Sequence, residues 1–174
     1  RVDEVYLLRR AGDALPPGDY VALVARYLEL ARGRRARRED RIRVVIAGAF
    51  CEQPPLGLLR AIERAGCYVI DDDFVAGWRW FSKDVAEDGD PIHALAEAYC
   101  RQSRPSSVRH DMTRPRHEDL AIRVREKGAQ AVIFAPAKFC EPALFDYVLF
   151  RRVCEREKIP HLLLEFEEKM WTFE

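Results

Sequence analysis

No Cys-x-x-Cys pair occurs anywhere in this sequence, which removes zinc ribbons and thioredoxin-type redox motifs from consideration. There is no Gly-x-Gly-x-x-Gly and no Walker lysine loop, so the usual phosphate cradles of dinucleotide- and nucleoside-triphosphate-binding proteins are missing. The Gly-x-Ser-x-Gly elbow of α/β-hydrolases is also absent. The four histidines (93, 110, 117 and 161) form no His-x-x-x-His pair, and His93 reads as a surface residue. No apolar run approaches the roughly 18 residues a membrane helix needs, and the charged start Arg1-Val2-Asp3-Glu4 is not a signal peptide. Net charge is missing too. Twenty-nine basic residues balance twenty-nine acidic ones, so nothing advertises a nucleic-acid or membrane partner.

What remains is a chain of 174 residues, 48% hydrophobic and 33% charged, long enough for one globular core. The first residue is not Met and the last five are Met-Trp-Thr-Phe-Glu, which reads as a piece of a longer protein. Five widely spaced cysteines without a secretion signal point to reduced thiols and a cytoplasmic setting. Seven arginines crowd residues 32–43. They read either as a phosphate-binding patch or as a solvated helix end and loop. The second is favoured because no aromatics are interleaved for base stacking.

Apolar spacing places a helix over residues 16–38, with Val21, Val24, Leu28 and Ala31 on one stripe. Residues 43–49 form a buried parallel strand. A helix over 56–65, stopped by Gly66, and a strand over 67–70 come next. Asp90 and Pro91 open a helix as cap and first residue, with Ile92, Leu95, Ala96 and Tyr99 turned inward. A loop over 103–117 leads to a helix over 118–127, ended by Gly128, and a strand over 131–135. A helix over 142–158, with Phe145, Leu149 and Val153 in line, and a strand over 160–165 complete the chain. This alternation predicts a three-layer α/β domain, with a mainly parallel sheet of about four strands and helices on both faces. Residues 1–40 read as an N-terminal helical segment and 41–174 as a Rossmann-like domain.

Ligands of such sheets bind beyond the carboxyl ends of the strands. Four short strings fall there: "FCEQPP" with Cys51, Glu52 and Gln53; "DDDF" with Asp71, Asp72 and Asp73; "PAKFCEP" with Lys138, Cys140 and Glu141; and "EFEE" with Glu165, Glu167 and Glu168. Cys140 directly precedes a helix, where backbone N–H groups favour an anionic sulfur, and Lys138 is two residues away. Ligand or nucleophile on one side, and small buried hydrophobe on the other, both stay open for Cys140 and Cys51. Cys67, Cys100 and Cys154 read as core or surface residues. The aspartates are either a cation or proton-sharing site, or caps and turn formers partnered by Arg79 or Lys83.

The strings "GAFCEQPPLGLLRAIERAGCYVIDDDF", "GDPIHALAEAY", "AVIFAPAKFCEPALFDY" and "IPHLLLEFE", in that order, resemble the benzoyl-CoA reductase / 2-hydroxyacyl-CoA dehydratase family. "DEVYLLRRAGDALPPGDY" resembles the linker into the C-terminal domain of a cluster-carrying subunit. The resemblance covers nearly the whole chain and implies a cytoplasmic enzyme subunit from anaerobic aromatic degradation, with an iron–sulfur cluster of the [4Fe–4S] type between two α/β domains. It implies Cys140, in the "KFC" string, as one metal ligand, with the others from a first domain preceding residue 1. It further implies a paralogous partner subunit, an ATP-dependent activator and an acyl-CoA substrate. Cys51, Glu52, Gln53, Asp72, Asp73 and Glu141 are placed as pocket-lining or supporting residues. The implied activity is reductive dearomatisation of an aromatic acyl-CoA. The alternatives are a 2-hydroxyacyl-CoA dehydratase subunit and an iron–sulfur electron-relay or assembly module.

Overall fold

The computed structural model describes residues 1–34, 39–48, 53–74, 83–105, 113 and 115–167. Their elements run α1 (Val2–Ala11), α2 (Pro17–Arg32), β1 (Ile42–Ala47), α3 (Leu56–Arg64), β2 (Cys67–Asp72), α4 (Pro91–Gln102), α5 (Arg116–Lys127), β3 (Ala131–Phe134), α6 (Glu141–Arg156) and β4 (His161–Leu163). All strand pairings are parallel, in the order β2-β1-β3-β4. The chain leaves β1 towards one edge for β2 and later adds β3 and β4 on the other side. The order therefore reverses at β1, which makes the carboxyl ends of β1 and β3 the crevice of the fold.

Period-two alternation along β1 builds both cores. Val44 and Ile46 join Leu58, Leu59 and Ile62 of α3, Ile133, Phe74 and Phe166 on one face. Val45 and Ala47 join Val132, Phe134, Leu120 and Val124 of α5, and Phe150 and Cys154 of α6 on the other. Helices thus cover both faces, and the three-layer α/β architecture read from the sequence is the one observed. α1 packs on α3 and contributes Val2 to the first core, and the Val2 amide donates to the Glu63 carboxylate.

Local chemistry sets several boundaries. The Asp90 side chain accepts from the Ile92 amide at 3.1 Å and Pro91 opens α4, as its sequence requires. Gly128 ends α5 at φ 64, a left-handed cap where its own amide and that of Ala129 close the last turn.

Other expectations are corrected. α2 stops at Arg32, short of residue 38. Its half-buried stripe is Tyr20, Val24, Tyr27 and Ala31, while Val21 and Leu28 face water. α4 buries Ala94 and Ala98 and leaves Ile92, Leu95 and Tyr99 exposed, the reverse of the expected face. Both covered positions are alanines one turn apart, so the buried face of α4 carries little apolar bulk for a spacing pattern to register. In α6, Val153 is buried as expected, but Phe145 and Leu149 are exposed. α5 begins at Arg116 rather than 118. β2 extends through Asp72, so Asp71 and Asp72 belong to the strand itself and do not follow it.

Candidate functional site at the carboxyl edge of the sheet

Each of the three aspartates takes its own arginine from a different place in the fold. Arg123, in the third turn of α5, donates to Asp71 from Nε at 2.9 Å and from Nη2 at 2.7 Å, and Nη2 also reaches the Asp72 carbonyl. Arg9 of α1 donates to Asp72 at 2.6 Å, and the Phe74 amide donates to the other oxygen of the same carboxylate. Arg116, the first residue of α5, donates to Asp73 at 3.0 Å, and the Gly48 amide reaches the same Asp73 oxygen at 2.9 Å. Burial would be costly for these carboxylates without such partners. The expected partners were local. Lys83 is exposed instead, and Arg79 lies outside the described residues. The true partners are 43, 52 and 63 positions away in sequence, so no local pattern announces them.

Arg116 does more than neutralise Asp73. Its Nη1 donates to Asp146 of α6 at 2.6 Å, and its guanidinium lies 5.3 Å from the centre of the Phe150 ring. One side chain therefore ties the end of β2, the start of α5 and the second turn of α6 together. Gly48, at φ 94, follows β1 where the backbone of Ala135 and Pro136 comes within van der Waals reach of any added Cβ. Burial pushes the Asp72 carboxyl up from the usual carboxylate range, against the pull of Arg9. Arg104 lies nearby, half-buried, with its Nη1 enclosed and without a hydrogen-bond partner. Burial and the neighbouring Arg123 disfavour its charged form.

Cys140 is the N-cap of α6, with Glu141 in the first turn and Pro142 behind it. It is 8% exposed and is not in a disulfide. The helix N-terminus presents unsatisfied N–H groups at this position. The preceding turn runs from Ala137 to Cys140, whose amide donates to the Ala137 carbonyl at 3.1 Å. Its third position needs a positive φ and favours glycine or asparagine. Phe139 occupies it at φ 62, at a cost of about 1–2 kcal/mol for a side chain with a Cβ. Phe139 is 91% exposed. Lys138 does not supply charge to the thiol in a simple way. Its ammonium group donates to Glu167 at 2.5 Å, and that bond raises its pKa.

The remaining candidates disperse. Gln53 is half-buried just before α3, Glu141 and Glu165 are exposed, and Cys51, Glu52 and Glu168 lie outside the described residues. Cys67 starts β2 and is half-buried, Cys100 is exposed on α4, and Cys154 is buried in the second core with its thiol pushed up to about 11 by burial. Of the arginine-rich stretch, Arg34 bonds Glu4, Arg41 bonds Glu39 and the Glu63 carbonyl, and Arg43 bonds the Gly128 carbonyl. These three are held by the protein itself. Among the described residues no group of three or more His, Cys, Asp or Glu is placed to hold a metal ion. Among the described cysteines, Cys140 is the one at the carboxyl edge of the sheet. A cavity of about 530 Å³ opens between α1 and β2, lined by Tyr6, Arg9, Arg41, Tyr68, Asp72 and Phe74 among others; Cys140 does not line it.

The family model described as 2-hydroxyglutaryl-CoA dehydratase, D-component, matches residues 2–172. The chain is similar to a benzoyl-CoA reductase subunit of Thauera aromatica, 37% identical over 169 residues, covering 95% of this chain and 43% of that protein. It is also similar to the beta subunit of lactoyl-CoA dehydratase of Anaerotignum propionicum, 27% identical, covering 89% of this chain and 41% of that protein. A third relative is the (R)-phenyllactyl-CoA dehydratase beta subunit of Clostridium sporogenes, 27% identical, covering 76% of this chain and 34% of that protein. The chain spans less than half the length of each of these relatives.

Proposed function

Because the chain belongs to the family described as 2-hydroxyglutaryl-CoA dehydratase, D-component, we propose that it is part of a subunit of an ATP-dependent benzoyl-CoA reductase, which reduces the ring of an aromatic acyl-CoA. The observation that carries the choice of reductase is the 37% identity to the Thauera aromatica reductase subunit over 95% of the chain, against 27% to the two dehydratase subunits. In this proposal Cys140 is one thiolate ligand of an iron–sulfur cluster, and the other ligands come from outside the chain. Such a cluster supplies electrons at low potential. The sulfur sits at the α6 N-terminus, and Arg116 holds α6 through Asp146. ATP acts on a separate activator subunit, and a paralogous subunit completes the enzyme.

A 2-hydroxyacyl-CoA dehydratase is the second reading, favoured by the family model and the two dehydratase relatives. Stoichiometry separates the two. Ring reduction consumes electrons and ATP at every turnover, whereas elimination of water consumes no electrons overall. The test is anaerobic purification of the full-length subunit with its partner subunits, followed by assay with benzoyl-CoA and with (R)-lactoyl-CoA. Electron consumption tied to loss of benzoyl-CoA is the expected result. Turnover of lactoyl-CoA without net electron uptake would sink the reductase assignment and leave the dehydratase.

A further inference from the structure

Arg116 stands where helix chemistry disfavours it. It is the first residue of α5, and the N-terminal turn of a helix favours an anion over a cation. Two carboxylates from other elements offset that cost. Nη2 donates to Asp73 at 3.0 Å and Nη1 to Asp146 of α6 at 2.6 Å, with all three side chains at most 16% exposed. The Asp73 oxygen that takes Nη2 also takes the Gly48 amide. A hydrogen-bonded chain Gly48–Asp73–Arg116–Asp146 therefore crosses the carboxyl edge, from the exit of β1 to the second turn of α6. The planar guanidinium, set against the Phe150 ring, fixes the direction of both its bonds. The compact ammonium of a lysine has no such fork.

Helix α6 carries this constraint to Cys140. The Cys140 carbonyl accepts from the Leu144 amide at 3.0 Å, so its backbone is continuous with the helix, and Asp146 lies about 9 Å further along the axis. Backbone hydrogen bonds hold the other flank of the turn. The Lys138 amide donates to the Phe166 carbonyl at 2.8 Å, and the Phe166 amide to the Pro136 carbonyl at 3.2 Å. We infer that Arg116 is a positioning residue for Cys140. Through Asp146 it sets the placement of α6, and with it where the sulfur stands relative to the exit of β1. This rests on the reading of Cys140 as a thiolate ligand and deepens it by naming the residue that aims the ligand.

Arg116→Lys and Asp146→Asn in the assembled full-length enzyme, purified without oxygen, test the assignment. Each should keep the iron content of the unmodified enzyme, alter the electron paramagnetic resonance spectrum of the reduced centre and lower turnover about tenfold or more. The double variant should show no more change than either single, because both substitutions break the same tie. Val124→Ala, a truncation in the buried core further along α5, controls for lost stability. It should lower Tm and leave the spectrum unchanged. Iron lost from Arg116→Lys but retained by Val124→Ala would support the assignment equally. An unaltered spectrum in Arg116→Lys or Asp146→Asn, with iron in place, would overturn the role of Arg116 and leave Cys140 as a ligand. So would losses that add in the double variant, or a spectrum altered as much by Val124→Ala. Unmodified enzyme without iron, or unchanged iron in Cys140→Ser, would instead remove the reading of Cys140 and the assignment with it.

Discussion

Asp72 and Cys154 show how burial alone sets the chemistry of a side chain. Asp72 has its carboxyl raised by burial although Arg9 bonds it. A raised value in the folded state means that folding takes up protons here, so this group's contribution to stability is fullest at acid pH and falls as pH rises through the folded value. Removing the arginine sharpens that dependence. Arg9→Met should cost about 3 kcal/mol near neutral pH, the low end for breaking a buried pair, because Arg9 is 22% exposed. The deficit should shrink between neutral and mildly acid pH, as the stranded carboxyl takes up a proton. Urea melts at the two pH values measure it, and an equal deficit at both would contradict the assigned cause. Cys154 is the complementary case. With its thiol raised to about 11 by burial, it should resist alkylation at mildly alkaline pH while the exposed Cys100 is modified, as peptide mass mapping would show. Its contribution to stability is intact below the usual thiol value and is lost as pH climbs towards about 11.

Among the elements, α5 depends most on charge. Arg123 joins it to the carboxyl end of β2 through Asp71, with both side chains less than 10% exposed, and Arg116 joins its first turn to Asp73 and α6. Arg123→Met should cost about 3–5 kcal/mol because it leaves a buried anion, whereas the double variant Asp71→Asn/Arg123→Met should recover part of the loss. A double-mutant cycle in urea would show the coupling, and additive losses would mean that the pair does not act as a unit. Sequence pattern does not reveal this clamp. It displays the three aspartates as candidate ligands, because adjacent carboxylates at a strand end look alike whether they face a metal or an arginine brought from 43 to 63 residues away. Other parts are legible. Val44 to Ala47 are apolar on both faces because both are covered, and Asp90-Pro91 carries its helix start in its own chemistry. The faces of α4 and α6 escape the pattern for one reason. Apolar spacing reports that a stripe can be buried, and on these helices a second stripe, of alanines on α4 and of Ala143, Phe150 and Cys154 on α6, is the one that is covered.

At the scale of the whole molecule, apolar surface and unfinished chemistry go together. No residue of α2 is buried, although Val21, Leu23, Leu28 and Leu30 are among its sixteen residues. α4 and α6 add exposed apolar faces. The sheet's carboxyl edge, which the fold reserves for ligands, offers Cys140 with an arginine-neutralised aspartate cluster, and no described set of three metal ligands. A cubane cluster takes up to four thiolates, and Cys51, whose position is outside the described residues, would bring the candidate count only to two. The 174-residue chain, reconstituted anaerobically with iron and sulfide, is therefore expected to show no stoichiometric visible absorption of an iron–sulfur centre. In the assembled full-length enzyme, Cys140→Ser should lower both iron content and turnover, whereas Cys100→Ser, on the exposed face of α4, should leave both unchanged. A full complement of iron on the isolated chain would place the ligand set inside residues 1–174, and unchanged iron in assembled Cys140→Ser would remove that sulfur from the site.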